Sequence, residues 1–207
     1  LSHSVTSGAM QPSEIRITNP DWVEEVIDVH RAYPDDDARI RVAITLAREN
    51  VVRETGGPFG AAVFEADSGR LVGVGTNGVL RLNNSTAHAE MVALMMAQAR
   101  VESFTLKGNG DVTHELFSSC EPCAMCLGAT LWSGVKRLVF AATRADATRL
   151  RFDEGPVFPE SYKYLEDRGI RIEHNFLREE ARDVLEMYRS KFTVVKMSVT
   201  KPSMPAV

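Results

Sequence analysis

Apolar residues recur at Ile40, Ala43, Ile44, Ala47 and Val51, the i, i+3, i+4, i+7 spacing of a helix with one buried stripe. Asp35, Asp36 and Asp37 stand at the start of that stripe. Their simplest use is as a cap that complements the helix dipole. The run "GGPFGAAVFEADSGRLVGVGTN" then predicts two strands, Phe59 to Phe64 and Leu71 to Thr76, joined at the turn "DSG". Further on, "TAHAEMVALMMAQARV" has helical periodicity, "HELFSSC" reads as a strand, "EPCAMCLGATLWSG" as a helix and "KRLVFAAT" as a strand. Strand and helix therefore alternate, which argues for an α/β layered domain. The remaining pattern, "FPESYKYLEDRG", "IRIEH" and "LREEARDVLEMYRSKF", predicts helix, strand and helix. Leu177, Ala181, Val184, Leu185, Tyr188 and Phe192 share one face of the last helix.

The chain divides unevenly. Residues 1–10 are small and polar without a period, and suit a disordered or vector-derived tail. Residues 11–34 carry Pro12, Pro20 and Pro34 around "DWVEEVIDVH" and predict an accessory arm with one short helix, docked by Trp22, Val23 and Ile27. Residues 35–192 form the main domain, and 193–207 a C-terminal tail. No internal repeat or low-complexity segment interrupts them.

Composition narrows the class of protein. With 207 residues, 44% hydrophobic and 25% charged, the chain suits one soluble globular domain with a substantial core. No apolar run approaches the roughly 18 to 20 residues of a membrane span, and no secretory signal pattern opens the chain. A cytoplasmic location is therefore expected. A net charge of −4 supplies no general attraction to phosphate polymers, so nucleic acid is disfavoured as a partner.

The three cysteines all fall between Cys120 and Cys126. That is too few and too close for a disulfide framework, and metal binding becomes the first candidate. A catalytic zinc ion takes three nitrogen or thiolate ligands and leaves a fourth position for water. The expected ligands are His88, Cys120 and Cys123. Pro122 suits a first helical turn, where the helix dipole favours thiolates, and Cys126 in "CAMCLGA" resembles a packed apolar face. A structural zinc site closed by all three cysteines and His88 is the alternative. Glu90 separates the two, because a structural site has no use for a carboxylate beside its metal, whereas hydrolysis needs a group to move protons.

His-x-Glu followed by Pro-Cys-x-x-Cys is the signature of zinc nucleobase deaminases. Through "TAHAE" at 86–90 and "SCEPCAMCLGA" at 119–129 the sequence resembles the cytidine-deaminase-like superfamily over roughly residues 37–155. That resemblance implies a three-layer α/β/α sandwich around a mixed sheet of about five strands. It also implies zinc on His88, Cys120 and Cys123, and Glu90 as proton shuttle.

Within the superfamily, "GGPFGAAVF", "GTNGV" and "RFDEGP" look most like the guanine deaminase branch. By that likeness Asn77 binds the purine. Glu154, or Asp153 beside it, assists proton transfer, and Ala87 belongs with the substrate-binding residues. The branch further implies a homodimer, with a C-terminal segment that closes a pocket and can be domain-swapped. Arg151 departs from the glycine usual there, and the N-terminal arm has no counterpart. On physical grounds Phe59 and Trp132 are flat enough to stack on a base. Guanosine, cytosine or cytidine, and aminotriazines such as ammeline remain alternative substrates, with tRNA adenosine and a non-catalytic zinc module behind them.

Overall fold

The computed structural model describes residues 13–108 and 112–198, with side chains as far as Lys191. The tail at 1–10 and residues 199–207 lie outside the described residues. After a one-turn helix α1 (Val23–Val26) in the arm come α2 (Asp36–Val52), β1 (Gly60–Glu65), β2 (Leu71–Thr76) and α3 (Ala89–Arg100). They are followed by β3 (His114–Cys120), α4 (Ala124–Ser133), β4 (Arg137–Ala142), α5 (Arg144–Thr148), α6 (Pro159–Asp167), β5 (Arg171–Glu173) and α7 (Arg178–Ser198). The last helix runs six residues past the tail boundary expected after residue 192. Among the described residues no helix is long and apolar enough to cross a membrane.

The five strands form one sheet in the order β2-β1-β3-β4-β5. β1 is antiparallel to β2 and β3, while β3, β4 and β5 run parallel. The central strands β1, β3 and β4 are buried on nearly every residue, as strands covered on both faces must be. One face carries α2 and α7, with Ile40, Leu46, Phe64, Phe117, Val184 and Leu185 at its core. The other carries α3, α4 and α6, with Ala93, Ala97, Leu116, Leu127, Leu138 and Leu165. This is the three-layer α/β/α sandwich around a mixed five-stranded sheet.

Small residues bring α3 unusually close to the sheet. A Cβ added to Gly75 of β2 would lie 2.1 Å from the Ala89 carbonyl oxygen and 2.4 Å from the Ala93 amide. Gly73 meets Ala97 and Ala93 in the same way. The start of α3, where His88 and Glu90 sit, is thus set against β2 by backbone contact.

The acidic triplet divides its labour. Asp35 caps α2, its Oδ1 accepting from Ala38 N at 2.8 Å. Asp36 instead pairs with the buried Arg137, which also donates to Glu173 and, at 3.2 Å, to Glu115. Arg39 donates to the same Glu115 at 2.9 Å. A buried guanidinium–carboxylate network therefore ties α2 to β3, β4 and β5.

A second buried acid fixes α7. Asp146 accepts from Arg178 at 2.8 and 3.0 Å and caps α5 through Thr143. The Arg178 guanidinium holds this carboxyl well below its ordinary range, with the Thr143 hydrogen bonds adding to the effect. The folded protein thus binds this proton more weakly than the unfolded chain. Stability from the pair is complete above about pH 4 and is lost as the pH falls below it. Asp146→Asn is expected to lower stability by about 2 kcal/mol at neutral pH and to flatten the loss of stability below pH 4. Urea titrations of both proteins at pH 7 and pH 3.5 measure this; an unchanged acid limb would refute it.

Candidate metal centre and active site

Two helix starts converge beside the end of β3. His88 is the N-cap of α3 and Cys123 the N-cap of α4, and neither side chain caps its own helix. The position normally given to Ser, Thr, Asp or Asn is occupied at both helices by a potential ligand, which leaves the imidazole and the thiol free to face each other. His88 Nδ1 lies 3.5 Å from Cys123 Sγ and 3.7 Å from Cys126 Sγ. The three donor atoms all fall within 4.8 Å of one another, the one such three-ligand group among the described residues.

The expected trio is therefore corrected at one member. Cys126 takes the place of Cys120. Helix α4 begins at Ala124, so Cys123 is its N-cap and Cys126 its third residue; one turn apart, the two sulfurs share a face. Cys120 ends β3, is buried in the α2/α7-side core, and its Sγ lies 3.8 Å from the Thr143 carbonyl oxygen. The closed four-ligand cage is accordingly not assembled.

The donor set fits a zinc ion. With Zn–S near 2.3 Å and Zn–N near 2.0 Å, tetrahedral geometry puts neighbouring donors roughly 3.5 to 3.8 Å apart, the separations found from His88. Electrostatics agree. The Cys126 thiol and then His88 pull Cys123 down to about 4, while the neighbouring Cys123 and burial push Cys126 up. One thiolate is favoured on the protein's own account, and a second beside it needs a cation.

Glu90 lies one residue inside α3 and is buried. Ser118 of β3 donates to its Oε1 at 3.2 Å, and the Cys126 thiol to its Oε2 at 3.4 Å. Burial first, then the charge on Cys123, raises its pKa. Ser118 was not foreseeable from the motif, because only the pairing of β3 with β1 and β4 aims it at α3. Glu154 is half-buried, its carbonyl accepting from Ala124 N at 3.0 Å. Burial, then Cys123 and Glu90, push its carboxyl up to about 7.

The other expected residues separate into two groups. Asn77 directly follows β2, and the next amide, Gly78 N, donates to the carbonyl of the fully buried Ala87 at 2.9 Å. This rung sets Asn77 one step from the His88 loop. Phe59 precedes β1 and packs edge-on against Phe152 at 4.9 Å, in the loop that carries Glu154. Asp153, by contrast, is exposed and accepts from Gly155 N at 2.9 Å, a local turn. Trp132 is 83% exposed. It lies two residues beyond the fully buried Thr130, so it faces away from the sheet and is not brought together with His88. Arg151 has φ +67°, the conformation for which glycine is the usual residue.

Comparison with known proteins follows the same lines. The model for the cytidine and deoxycytidylate deaminase zinc-binding region matches residues 34–142. The guanine deaminase of Bacillus subtilis is 38% identical over 131 residues, 63% of this chain and 80% of that protein. A tRNA-specific adenosine deaminase of Buchnera aphidicola is 31% identical, again over 131 residues, covering 63% of this chain and 79% of that protein. The solved structure of a guanine deaminase from Nitrosomonas europaea superposes with a TM-score of 0.82 at 38% identity, covering 88% of this chain and all of that one.

Proposed function

Because the chain belongs to the cytidine and deoxycytidylate deaminase zinc-binding family, we propose that it converts guanine and water to xanthine and ammonia. The observation that carries this reading is the buried Glu90 carboxylate set beside the three-donor group of His88, Cys123 and Cys126. When bound there, one zinc ion per chain supplies Lewis acidity that lowers the pKa of a water from about 15.7 toward about 7.

The protein's own groups do the rest. Glu90 takes the proton of the attacking water and passes it to the ring nitrogen beside C2, as a new C2–O bond forms and the C2–amine bond breaks. Ser118 holds Oε1, and Oε2, which faces Cys126 of the metal-binding group, is the working oxygen. Glu154, whose carboxyl is pushed up to about 7, retains a proton near neutrality and delivers it to the departing amine, and the proton shed by the C2 hydroxyl as the new carbonyl forms restores it. Asn77, with both donor and acceptor in its amide, meets the purine edge, and Phe59 supports the flat ring.

The relatives named guanine deaminase favour a free base over the adenosine of a tRNA, and the net charge of −4 favours it further. A cytoplasmic setting suits three unpaired thiols. The exposed Trp132 on α4 supports a homodimer. In this chain α7 packs in place, Arg178 on Asp146 and Lys191 Nζ on the Val51 carbonyl.

Ammonia release from guanine, guanosine, cytosine, cytidine, adenine, ammeline and tRNA tests the proposal. Guanine is expected to yield xanthine and to exceed every other substrate. Turnover of tRNA or cytidine with none of guanine would overturn the substrate, and silence with all seven would overturn the enzyme.

A further inference from the structure

The N-terminal arm does more than cover apolar surface. β2 is an edge strand, and a bare edge offers unpaired amides and carbonyls to any other strand. Asn19 of the arm occupies that edge with its side chain. Its Nδ2 donates to Val74 O at 2.9 Å and its Oδ1 accepts from Thr76 N at 3.2 Å. Both groups lie within three residues of Asn77. Just beyond Asn77, Arg81 reaches back to the same stretch of arm, donating to the Thr18 hydroxyl at 3.1 Å and to the Thr18 carbonyl. The arm thus grips the chain on both sides of Asn77.

A third connection reaches Asn77 from beneath. The indole of Trp22, itself buried, donates to Thr55 Oγ1 at 3.2 Å. The Thr55 hydroxyl donates in turn to Asn50 Oδ1 at 2.7 Å. Asn50 is fully buried, and its Nδ2 donates to the carbonyls of Gly57 at 2.8 Å and Asn77 at 3.0 Å. The order of these bonds has a polarity. An indole N–H can only donate, so the Thr55 oxygen accepts it and its single proton goes to Asn50. That proton fixes which end of the Asn50 amide is oxygen, and so aims the nitrogen at the two carbonyls. The two loops meet without slack: a Cβ on Gly56 would stand 2.0 Å from the Asn77 carbonyl oxygen and 2.6 Å from Asn50 Nδ2. Gly57 N in turn donates to the Asn77 side-chain oxygen at 3.4 Å, a long contact that leaves the amide nitrogen of Asn77 without a partner among the described residues.

We propose that residues 18–22 are a positioning element for base recognition, and that Trp22 acts through Thr55 and Asn50 to hold the Asn77 amide in its binding orientation. The inference rests on the reading of Asn77 as the residue that meets the base. Trp22 and Thr55 connect to Asn77 through Asn50 and do not belong to the metal-binding group, so the effect of their loss is expected in ground-state binding and not in the chemical step.

The test uses the full zinc-loaded chain with Trp22→Phe, Thr55→Val and Thr55→Ser, each read by guanine kinetics and by amide hydrogen exchange in the loops at 55–59 and 76–79. Trp22→Phe keeps a buried ring and deletes the indole N–H. Thr55→Val keeps the volume and deletes the hydroxyl. Both are expected to raise KM about 5- to 10-fold with kcat within about twofold and to speed exchange in the two loops, while Thr55→Ser restores KM. A loss of stability without a positioning role would leave KM of the folded fraction unchanged in Trp22→Phe and Thr55→Val, and that result overturns the inference. Faster exchange with unchanged KM also overturns it when Asn77→Ala in the same assay raises KM. If Asn77→Ala leaves KM unchanged as well, the reading of Asn77 fails, and the inference falls with it for that separate reason.

Discussion

Glu90→Gln is expected to reduce ammonia release from guanine by roughly 10²- to 10⁴-fold, the contribution of a positioned acid–base group, while zinc remains at the wild-type level. The amide matches the carboxylate in shape and still accepts the Ser118 hydrogen bond at its oxygen, so the pocket keeps its form. It cannot take up and return a proton. Because Glu90 is buried and adjoins the His88, Cys123 and Cys126 group without belonging to it, its substitution separates proton transfer from metal retention. Zinc analysis and steady-state kinetics on the same preparation give the answer. Near-wild-type turnover would remove Glu90 from the mechanism, and loss of zinc would make it a ligand instead.

Cys126→Ser and Cys120→Ser are expected to behave oppositely. Both are buried cysteines three residues from Cys123, and sequence spacing alone treats them alike. In the folded chain Cys126 shares the first turn of α4 with Cys123, whereas Cys120 faces the Thr143 carbonyl. Since changes in groups that only orient a zinc ligand already cost about 10- to 100-fold in affinity, removal of the Cys126 thiolate is expected to weaken zinc by more than about 100-fold. Activity should fall in step. Cys120→Ser should keep its zinc and most of its turnover. Titration with a chromophoric chelator measures both, and the reverse pattern would restore Cys120 as the ligand.

That pair shows where the sequence was legible and where it was not. Elements with strong periodicity, such as α2 with its Ile40, Ala43, Ile44, Ala47 and Val51 stripe, appear in the structure at nearly their expected bounds. The hairpin of β1 and β2 does the same, and the alternation of strand and helix marked an α/β layered domain, while the three layers were implied by the family resemblance. Helix onset was harder. Pro122 taken as a first-turn residue draws the helix start toward Cys120, whereas α4 begins at Ala124, and that shift of a few residues decides which sulfurs meet. Cys123 and Cys126 also complete the Pro-Cys-x-x-Cys spacing itself, so the signal was present. The exposure of Trp132 was hidden for a related reason: in the largely apolar helix "AMCLGATLWS" hydrophobicity does not mark the buried side. Ser118, the Asn50 relay and the hold of the arm on Asn77 depend on contacts between residues far apart in the chain. No local pattern encodes them.

The most direct measurement is the fate of solvent oxygen. Zinc-loaded protein is incubated with guanine in water enriched in oxygen-18, and the purine product is analysed by mass spectrometry beside an ammonia assay. Hydrolytic deamination at C2 predicts xanthine carrying one labelled oxygen, with one ammonia released per xanthine, and at most about one hundredth of that conversion in Glu90→Gln over the same interval. Guanine recovered unchanged with no ammonia, or xanthine formed without the label, would contradict it.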